Sequence, residues 1–434
     1  MPDLVVTLYG THVGNLEEHR EGFDFIASET GIERFGLQST ILSFAIPLDP
    51  TPRPRERAVR RNFFDELLPE GRARTRLAGN ARIPADYTVG MLARYGRDVA
   101  GALKIWDPNA PGEPRTPSLV AADESRVADL IAEVRTAPIG NDSVRRLSSL
   151  AGVQDKFVLV RTSTGWAEPL DGYPSTHIVK PVVPERPSLI FDEEYGARIA
   201  RRLGLAMFET QLETFAGRTA LVVQRYDRDP AAPDGRLHQE DFNQALGFSG
   251  DAKYEENGHP GLATIARLLR DYVGGDSRQR LLQYATLSIA IGNLDMHAKN
   301  LSVLHWPDGS AALAPMYDVV PQLHLVEDHN FAFSINGKFS HSEITLEDLA
   351  VEGRSWGLRA PERIVEATVE AIRAAVDVEQ PAPGAHFSLR EDIVRLTENL
   401  SAGRGASAHH PPRFSGANRE LRGNPGGWGG PMPG

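Results

Sequence analysis

The segment Ala290-Ile-Gly-Asn-Leu-Asp-Met-His-Ala-Lys-Asn300 gathers Asn293, Asp295, His297, Lys299 and Asn300 at the end of an apolar run. Asp295 and Asn300 stand five apart, a spacing suited to phosphoryl transfer. There a carboxylate orients an attacking hydroxyl and accepts its proton, while a neutral amide oxygen holds a Mg²⁺ ion without adding charge. Further on, Ala314-Pro-Met-Tyr-Asp318 ends a second apolar run on a carboxylate, after a turn at Pro307-Asp308-Gly309. A carboxylate placed there suits a second metal ligand. Upstream, His177-Ile-Val-Lys180 sets a lysine at the end of a β-branched strand, and Glu193 and Glu194 follow at a helix start. A strand lysine paired with a helix glutamate positions nucleotide phosphates. Each feature also has a plain structural alternative: a polar helix C-cap, a turn aspartate, a snorkelling edge lysine, an acidic helix N-terminus. Only their order along the chain gives the set a joint meaning.

A second compact feature is Leu147-Ser-Ser-Leu-Ala-Gly-Val-Gln-Asp-Lys156, small residues and a glycine close to a lysine ahead of a strand. It suits a cradle of backbone amides for phosphate, and equally a strand-entry turn. The Gly-x4-Gly-Lys-[Ser/Thr] pattern is absent. Gly403-Arg-Gly-Ala-Ser-Ala408 partly matches a dinucleotide fingerprint but lacks a preceding strand, and His409-His410 belongs to a Gly/Pro-rich tail.

The elements that must position these residues read as α+β. The runs Leu4 to Leu8, Phe23 to Ile26 and Ile41 to Leu48 predict a small antiparallel β unit, followed by helices near Glu56 to Leu68, Asp86 to Tyr95 and Ser125 to Arg135. Short strands are expected at Gly101 to Trp106, Phe157 to Arg161, His177 to Lys180 and within Leu212 to Tyr226. Helical spacing marks Phe191 to Leu203, Leu262 to Val273, Arg278 to Ile291 and Pro361 to Val376. The expected organisation is an N-terminal α/β domain over 1–142, a catalytic domain over 143–400 with a helical lobe from about 239, and a disordered tail over 401–434.

Composition sets the limits. The 434 residues carry 47 Lys+Arg against 58 Asp+Glu, a net charge of -11, which argues against non-specific nucleic-acid binding by the chain itself. The absence of cysteine removes disulfides, thiolate metal sites and thiol nucleophiles. MPDLVVTLYG shows no basic region ahead of an apolar one, and the stretch around Leu281 to Ile291 is too short to span a bilayer. A cytoplasmic protein without membrane contact is the expectation.

Taken together, the motifs resemble those of the HipA-like serine/threonine kinases of bacterial toxin–antitoxin modules, over nearly the whole chain up to about residue 400. The marks are Asn62-Phe-Phe-Asp-Glu-Leu-Leu-Pro-Glu70, Gly96-Arg-Asp-Val-Ala-Gly101, Ser149-Leu-Ala-Gly-Val-Gln-Asp-Lys156, Thr176-His-Ile-Val-Lys180 and Glu194-Tyr195. Gln224-Arg-Tyr-Asp-Arg228, His238-Gln-Glu-Asp-Phe-Asn-Gln244, Lys253-Tyr254, Gly292 to Asn300 and Pro315-Met-Tyr-Asp318 continue them. The resemblance implies a kinase-like core following the N-terminal domain, with a mostly helical C-terminal lobe. It makes Asp295 the catalytic base and Asn300 and Asp318 the Mg²⁺ ligands.

It also implies that ATP is held by Ala151, Gly152, Val153, Gln154, Lys156, Lys180, Gln224, Tyr226 and His297, with Glu194 as ion-pair partner of Lys180. The family usually carries Glu at the position of Gln224, so side-chain contacts there depart from its pattern. Ser149, with Ser148 beside it, matches an inhibitory autophosphorylation site, where the added charge would expel the loop from ATP. The implied substrate is an aminoacyl-tRNA synthetase. The implied partner is a HipB-like helix-turn-helix antitoxin, through which DNA would mainly be contacted. A small-molecule phosphotransferase and a kinase-fold co-repressor acting with an antitoxin are the alternatives.

Overall fold

The computed structural model describes residues 3–20, 22–136, 154–255, 259–326 and 328–408. The chain forms two compact units interleaved in sequence: Met1–Pro181 with Glu213–Gly250 and Val303–Ala311, and Val182–Leu212 with Asp251–Ser302 and Ala312–Gly434. The boundary expected near residue 142 lies outside the described residues.

The first unit begins with a four-stranded antiparallel sheet in the order Gly22–Ala27, Thr11–His19, Leu4–Leu8, Leu103–Trp106. Alternation puts Leu4, Val6 and Leu8 on the covered face, all fully buried. They share a core with Phe25, Phe63, Phe64, Met91 and Leu92, the last four from the helices Arg57–Asp65 and Thr88–Tyr95. One expectation fails here. Ile41 to Leu48 is buried but forms no strand, because its backbone closes turns instead: Ile46 N–H donates to Ser43 O at 3.2 Å and Leu48 N–H to Ser39 O at 2.9 Å. The helix Arg57–Asp65 ends ahead of Pro69, and a further helix that the sequence pattern does not predict, Gly71–Ala81, follows it.

A second sheet runs Ser118–Ala122, Gly165–Leu170, Phe157–Thr162, His177–Pro181, Arg218–Gln224, Thr210–Phe215. The expected strands are present, with Lys180 opposite Leu221 and His177 opposite Gln224 in antiparallel register. The helix Glu124–Thr136 covers one face, packing Val127, Leu130 and Ile131 against Leu159, Val179 and Val222. His177 is pushed down to about 4 by burial, with Arg161 adding to the effect.

Sequence-distant motifs meet in the interior of this unit. Arg225 grips Asp227 through Nε at 2.9 Å and Nη2 at 2.7 Å, and Arg228 donates to Asp227 Oδ2 and to Asp98 Oδ1, both at 2.9 Å. Arg225 also donates to Val99 O and Ser175 Oγ, each at 2.9 Å, while Gly101 N–H donates to Asp227 Oδ2 at 2.7 Å. Arg236, buried beside them, bonds the carbonyls of Gly172 at 2.8 Å and Arg97 at 3.1 Å. Burial by itself would raise the Asp98 and Asp227 carboxyls, but the surrounding guanidiniums hold both below the usual carboxylate range. Arg228 is pushed down to about 10, first by burial and then by Arg225.

The motif His238–Gln244 is likewise structural. His238–Asp241 is a strand and Phe242–Leu246 a short helix closed by an Asp241/Gln244 capping box. Buried Glu240 accepts from Phe44 N–H at 2.9 Å and pairs His305 Nε2 at 3.0 Å, and Gln244 Nε2 donates to Phe63 O at 3.0 Å. Asn62 Nδ2 reaches Gly247 O at 2.9 Å, and Gly250 N–H reaches Glu66 Oε1 at 2.6 Å. These polar residues sew 238–250 onto the N-terminal sheet and helices, so helix-rich sequence begins at Leu262 rather than near 239.

The second unit is mostly helical: Leu189–Arg202, Leu262–Leu268, Ser277–Ile291, Leu346–Ser355, Pro361–Val378 and Leu389–Ser401, with a hairpin of Asn330–Ile335 and Lys338–Ser340. Ser277–Ile291 is the central element, buried on nearly all sides from Leu281 to Ile291. The segment after residue 401 was expected to be disordered, but its first residues pack. Ala406 and Ser407 are buried, Asn399 Nδ2 donates to Ala406 O at 3.0 Å, and Ala406 N–H donates to Ile344 O at 2.9 Å. The missing side chain of Gly405 lets the backbone lie against the turn at Ser342, and the remainder, 409–434, lies outside the described residues.

Asp227→Asn is expected to destabilise the protein by about 3–5 kcal/mol at neutral pH, since it leaves buried guanidiniums unmatched. Because the folded carboxyls of Asp98 and Asp227 lie below the unfolded value of 3.8, their stabilisation is present above that pH. It is lost as pH falls through their folded values. Thermal melts from pH 7 down to 2 check both statements: the melting temperature should drop below about pH 4, less steeply in Asp227→Asn.

Candidate active site

Chain termination of one helix builds the candidate loop. Ser277–Ile291 ends at Gly292, whose φ of 73° is left-handed and whose missing side chain leaves room for Leu323, 2.7 Å from where a Cβ would stand. Beyond it Leu294, Met296, Ala298 and Leu301 are buried apolar anchors, and the residues between them are polar. Asp295 and Asn300 are thereby brought together, as expected. The Asn300 side chain folds back so that Nδ2 donates to Asp295 O at 2.8 Å, and His297 N–H donates to the same carbonyl at 2.9 Å. Asn300 N–H completes the closure by donating to His297 O at 2.9 Å.

Tyr254 enters from another segment, its hydroxyl donating to Asp295 Oδ1 at 3.1 Å. Its ring stands edge-on to His297, 5.3 Å between centroids at 83°, and the Lys253 ammonium lies 5.5 Å from the ring centre. His297 is buried and pushed down to about 4, first by burial and further by Lys253 and Lys299, against the pull of Asp295 and Asp318. Its imidazole is therefore neutral at physiological pH. Arg186 is held below its ordinary value by burial, with the Asp295 charge opposing. Tyr254 stands in the family motif Lys253-Tyr254, which assigns it no role, and Arg186 lies in none of the motifs; neither carries a local spacing signal.

Asp318 follows the expected hairpin, whose strands Ser302–His305 and Ala311–Leu313 are joined through Pro307-Asp308-Gly309. Asp318 itself has a φ of 55°, a left-handed conformation uncommon outside glycine. Its neighbours fix it there. Tyr317 hydroxyl donates to Lys299 O at 2.8 Å and lies 2.6 Å from Ser302 Oγ, while Met316 N–H donates to Leu205 O at 2.8 Å. On the other side Gly196 of the helix Leu189–Arg202 lies so close that a Cβ would meet Val319 O at 2.1 Å.

The same helix carries Glu194. Both its carboxylate oxygens are engaged by Arg198 one turn on, at 2.7 and 3.1 Å, an i, i+4 pair on one helix face. Glu193 beside it is buried. In the first unit Lys180 is buried on its strand, Gln224 is exposed, and the Tyr226 hydroxyl donates to Gln239 Oε1. Arg225 and Asp227, on either side of Tyr226, are members of the buried ion cluster, so the backbone expected to hold ATP at Gln224 and Tyr226 is anchored through alternate residues. Gln154 and Lys156 are half-buried. Ser148, Ser149, Ala151, Gly152 and Val153 lie outside the described residues.

Two family models match the chain: the HipA-like C-terminal domain over residues 148–378 and the HipA N-terminal domain over residues 4–106. The chain belongs to the HipA-like family. Among HipA-like relatives it is 30% identical over 387 residues to Y4mE of Sinorhizobium fredii, named as a candidate kinase, covering 85% of this chain and 90% of that one. It is 29% identical over 393 residues to the serine/threonine-protein kinase toxin HipA of Shewanella oneidensis, covering 83% of this chain and 88% of the relative. The fold is similar to that of a chain in a solved complex of Shewanella oneidensis HipA, HipB and operator DNA, at a TM-score of 0.72 and 24% identity, covering 93% and 96% of the two chains. No helix among the described residues of this HipA-like chain is long and apolar enough to cross a membrane.

Gly196→Ala is expected to force the backbone after Asp318 away from the helix and to cost about 1–3 kcal/mol. Urea unfolding of the variant against wild type measures it.

Proposed function

We propose that the protein is an ATP- and Mg²⁺-dependent serine/threonine protein kinase, the toxin of a toxin–antitoxin module. The observation that carries this reading is the closed Asp295–Asn300 loop, in which the amide of Asn300 is held against the backbone of the residue bearing the carboxylate by the bond from Asn300 Nδ2 to Asp295 O at 2.8 Å. Phosphoryl transfer asks the protein mainly for positioning and for charge placed where charge develops. Asp295 orients the acceptor hydroxyl and takes its proton. Lys180 holds the phosphates, Gln224 and Tyr226 flank the adenine, and neutral His297 contacts the nucleotide without competing for the metal's charge.

The donor chemistry fits a Mg²⁺ ion. Asn300 spends its amide nitrogen on Asp295 and keeps its oxygen for the metal, and Asp318 adds a carboxylate, both hard donors. Among the described residues no group of three or more His, Asp or Glu side chains could hold a metal; Mg²⁺ commonly binds through one or two carboxylates together with substrate phosphates. Bound there, it would neutralise charge on the transferring phosphoryl group.

Ser149 is proposed as an autophosphorylation site within the ATP-binding loop of Ala151, Gly152, Val153, Gln154 and Lys156. An aminoacyl-tRNA synthetase is the proposed substrate and a HipB-like antitoxin the proposed partner, with DNA reached through the antitoxin. The partner reading is supported by the similar chain solved with HipB and operator DNA, and the net charge of -11 is in keeping with indirect DNA contact. A cytoplasmic location suits this chemistry. Incubating wild type and Asp295→Asn with labelled ATP and a cell lysate tests the reading. Wild type is expected to label one or a few lysate proteins, and the variant to lose at least about a thousandfold in rate without losing its fold. Equal labelling by both would overturn the assignment of Asp295.

A further inference from the structure

We infer that Tyr254 is the residue that positions the catalytic carboxylate, an inference that rests on the kinase reading of Asp295. The Asp295 backbone is already immobilised, since its carbonyl accepts from both Asn300 Nδ2 at 2.8 Å and His297 N–H at 2.9 Å. What those bonds leave undetermined is the rotation of the side chain. The Tyr254 hydroxyl fixes it by donating to Oδ1 at 3.1 Å, which reserves Oδ2 for the incoming hydroxyl.

Tyr254 can serve as a fixed point because its own ring is held on two sides. Its edge-on contact with His297 spans 5.3 Å between centroids, and the buried Lys253 ammonium lies 5.5 Å from the ring centre. His297 belongs to the same loop as Asp295, so ring and carboxylate are referenced to one piece of backbone. A phenol suits this task better than a shorter hydroxyl, because it spans the gap with only two rotatable bonds before the ring and keeps the donor on a rigid arm.

Tyr254→Phe removes the donor and keeps the ring. The expected result is a turnover number lowered about tenfold to a hundredfold, the loss of one hydrogen bond to a charged group. The KM for ATP and the affinity for ADP by calorimetry should stay within about threefold, and the melting temperature should stay near wild type. Tyr254→Ala should lose more, through the ring contact with His297. A turnover number for Tyr254→Phe within twofold of wild type would overturn the inference. So would a fall matched by equal losses in ADP affinity and melting temperature, which marks a merely structural residue. Absence of phosphoryl transfer in wild type is a different result: it would overturn the kinase reading itself, and the positioning role with it.

Discussion

Three guanidiniums and two carboxylates packed without water access are the constraint around which the first unit is organised. Asp98, Arg225, Asp227 and Arg236 are buried to a few per cent exposure or less, and the Arg228 side chain is 4% exposed. A group of that kind is stable only when every member is matched, because removing one partner leaves an uncompensated charge in the interior. The matching reaches beyond the ions to Gly101 N–H, Ser175 Oγ and the carbonyls of Arg97, Val99 and Gly172. It thus ties the loop after the N-terminal helices, the turn before the strand His177–Pro181 and the segment after Arg218–Gln224 into one rigid body. Lys180 and the Gln224–Tyr226 backbone inherit their positions from it.

The second unit solves a related problem differently. Its candidate site residues sit on irregular backbone, and irregular backbone is held by apolar anchors and by bonds back onto itself. Leu294, Met296, Ala298 and Leu301 are sunk in the core; of the polar residues around them His297 and Lys299 are buried too, while Asp295 and Asn300 are half-buried. Asn300 and His297 close the loop, Tyr254 fixes its carboxylate, and Gly196 lets a helix press against the backbone beyond Asp318. The left-handed Asp318 is tolerated because its neighbours on both sides are committed: Tyr317 to Lys299 and Ser302, Val319 to the face of Gly196.

Local signals in the sequence suffice where one element decides its own shape. The helix Ser277–Ile291 and its Gly292 stop, the hairpin turn at Pro307-Asp308-Gly309 and the strand bearing Lys180 all follow from periodicity and turn chemistry. Ile41 to Leu48 misled because burial alone does not distinguish a strand from a buried string of turns, and Ser43 with Pro47 tips it to the latter. The helix Gly71–Ala81 escaped notice because it opens on a glycine two residues after Pro69 and has no side-chain cap. The ion cluster and the Tyr254–Asp295 bond were not legible, since their members are 126 and 41 residues apart where Gly101 meets Asp227 and Tyr254 meets Asp295. Several motifs that mark the family proved to be this long-range stitching rather than catalytic equipment.

The central claim, that this arrangement transfers a phosphoryl group to a serine hydroxyl, is tested most directly on the chain itself. Purified full-length protein incubated with Mg-ATP and digested for peptide mass spectrometry should show phosphoserine in the peptide that holds Ser148 and Ser149, and none when Mg²⁺ is chelated. Stoichiometric ATP binding with no phosphate on any serine or threonine of the chain, and none on any protein of an added lysate, would contradict the account.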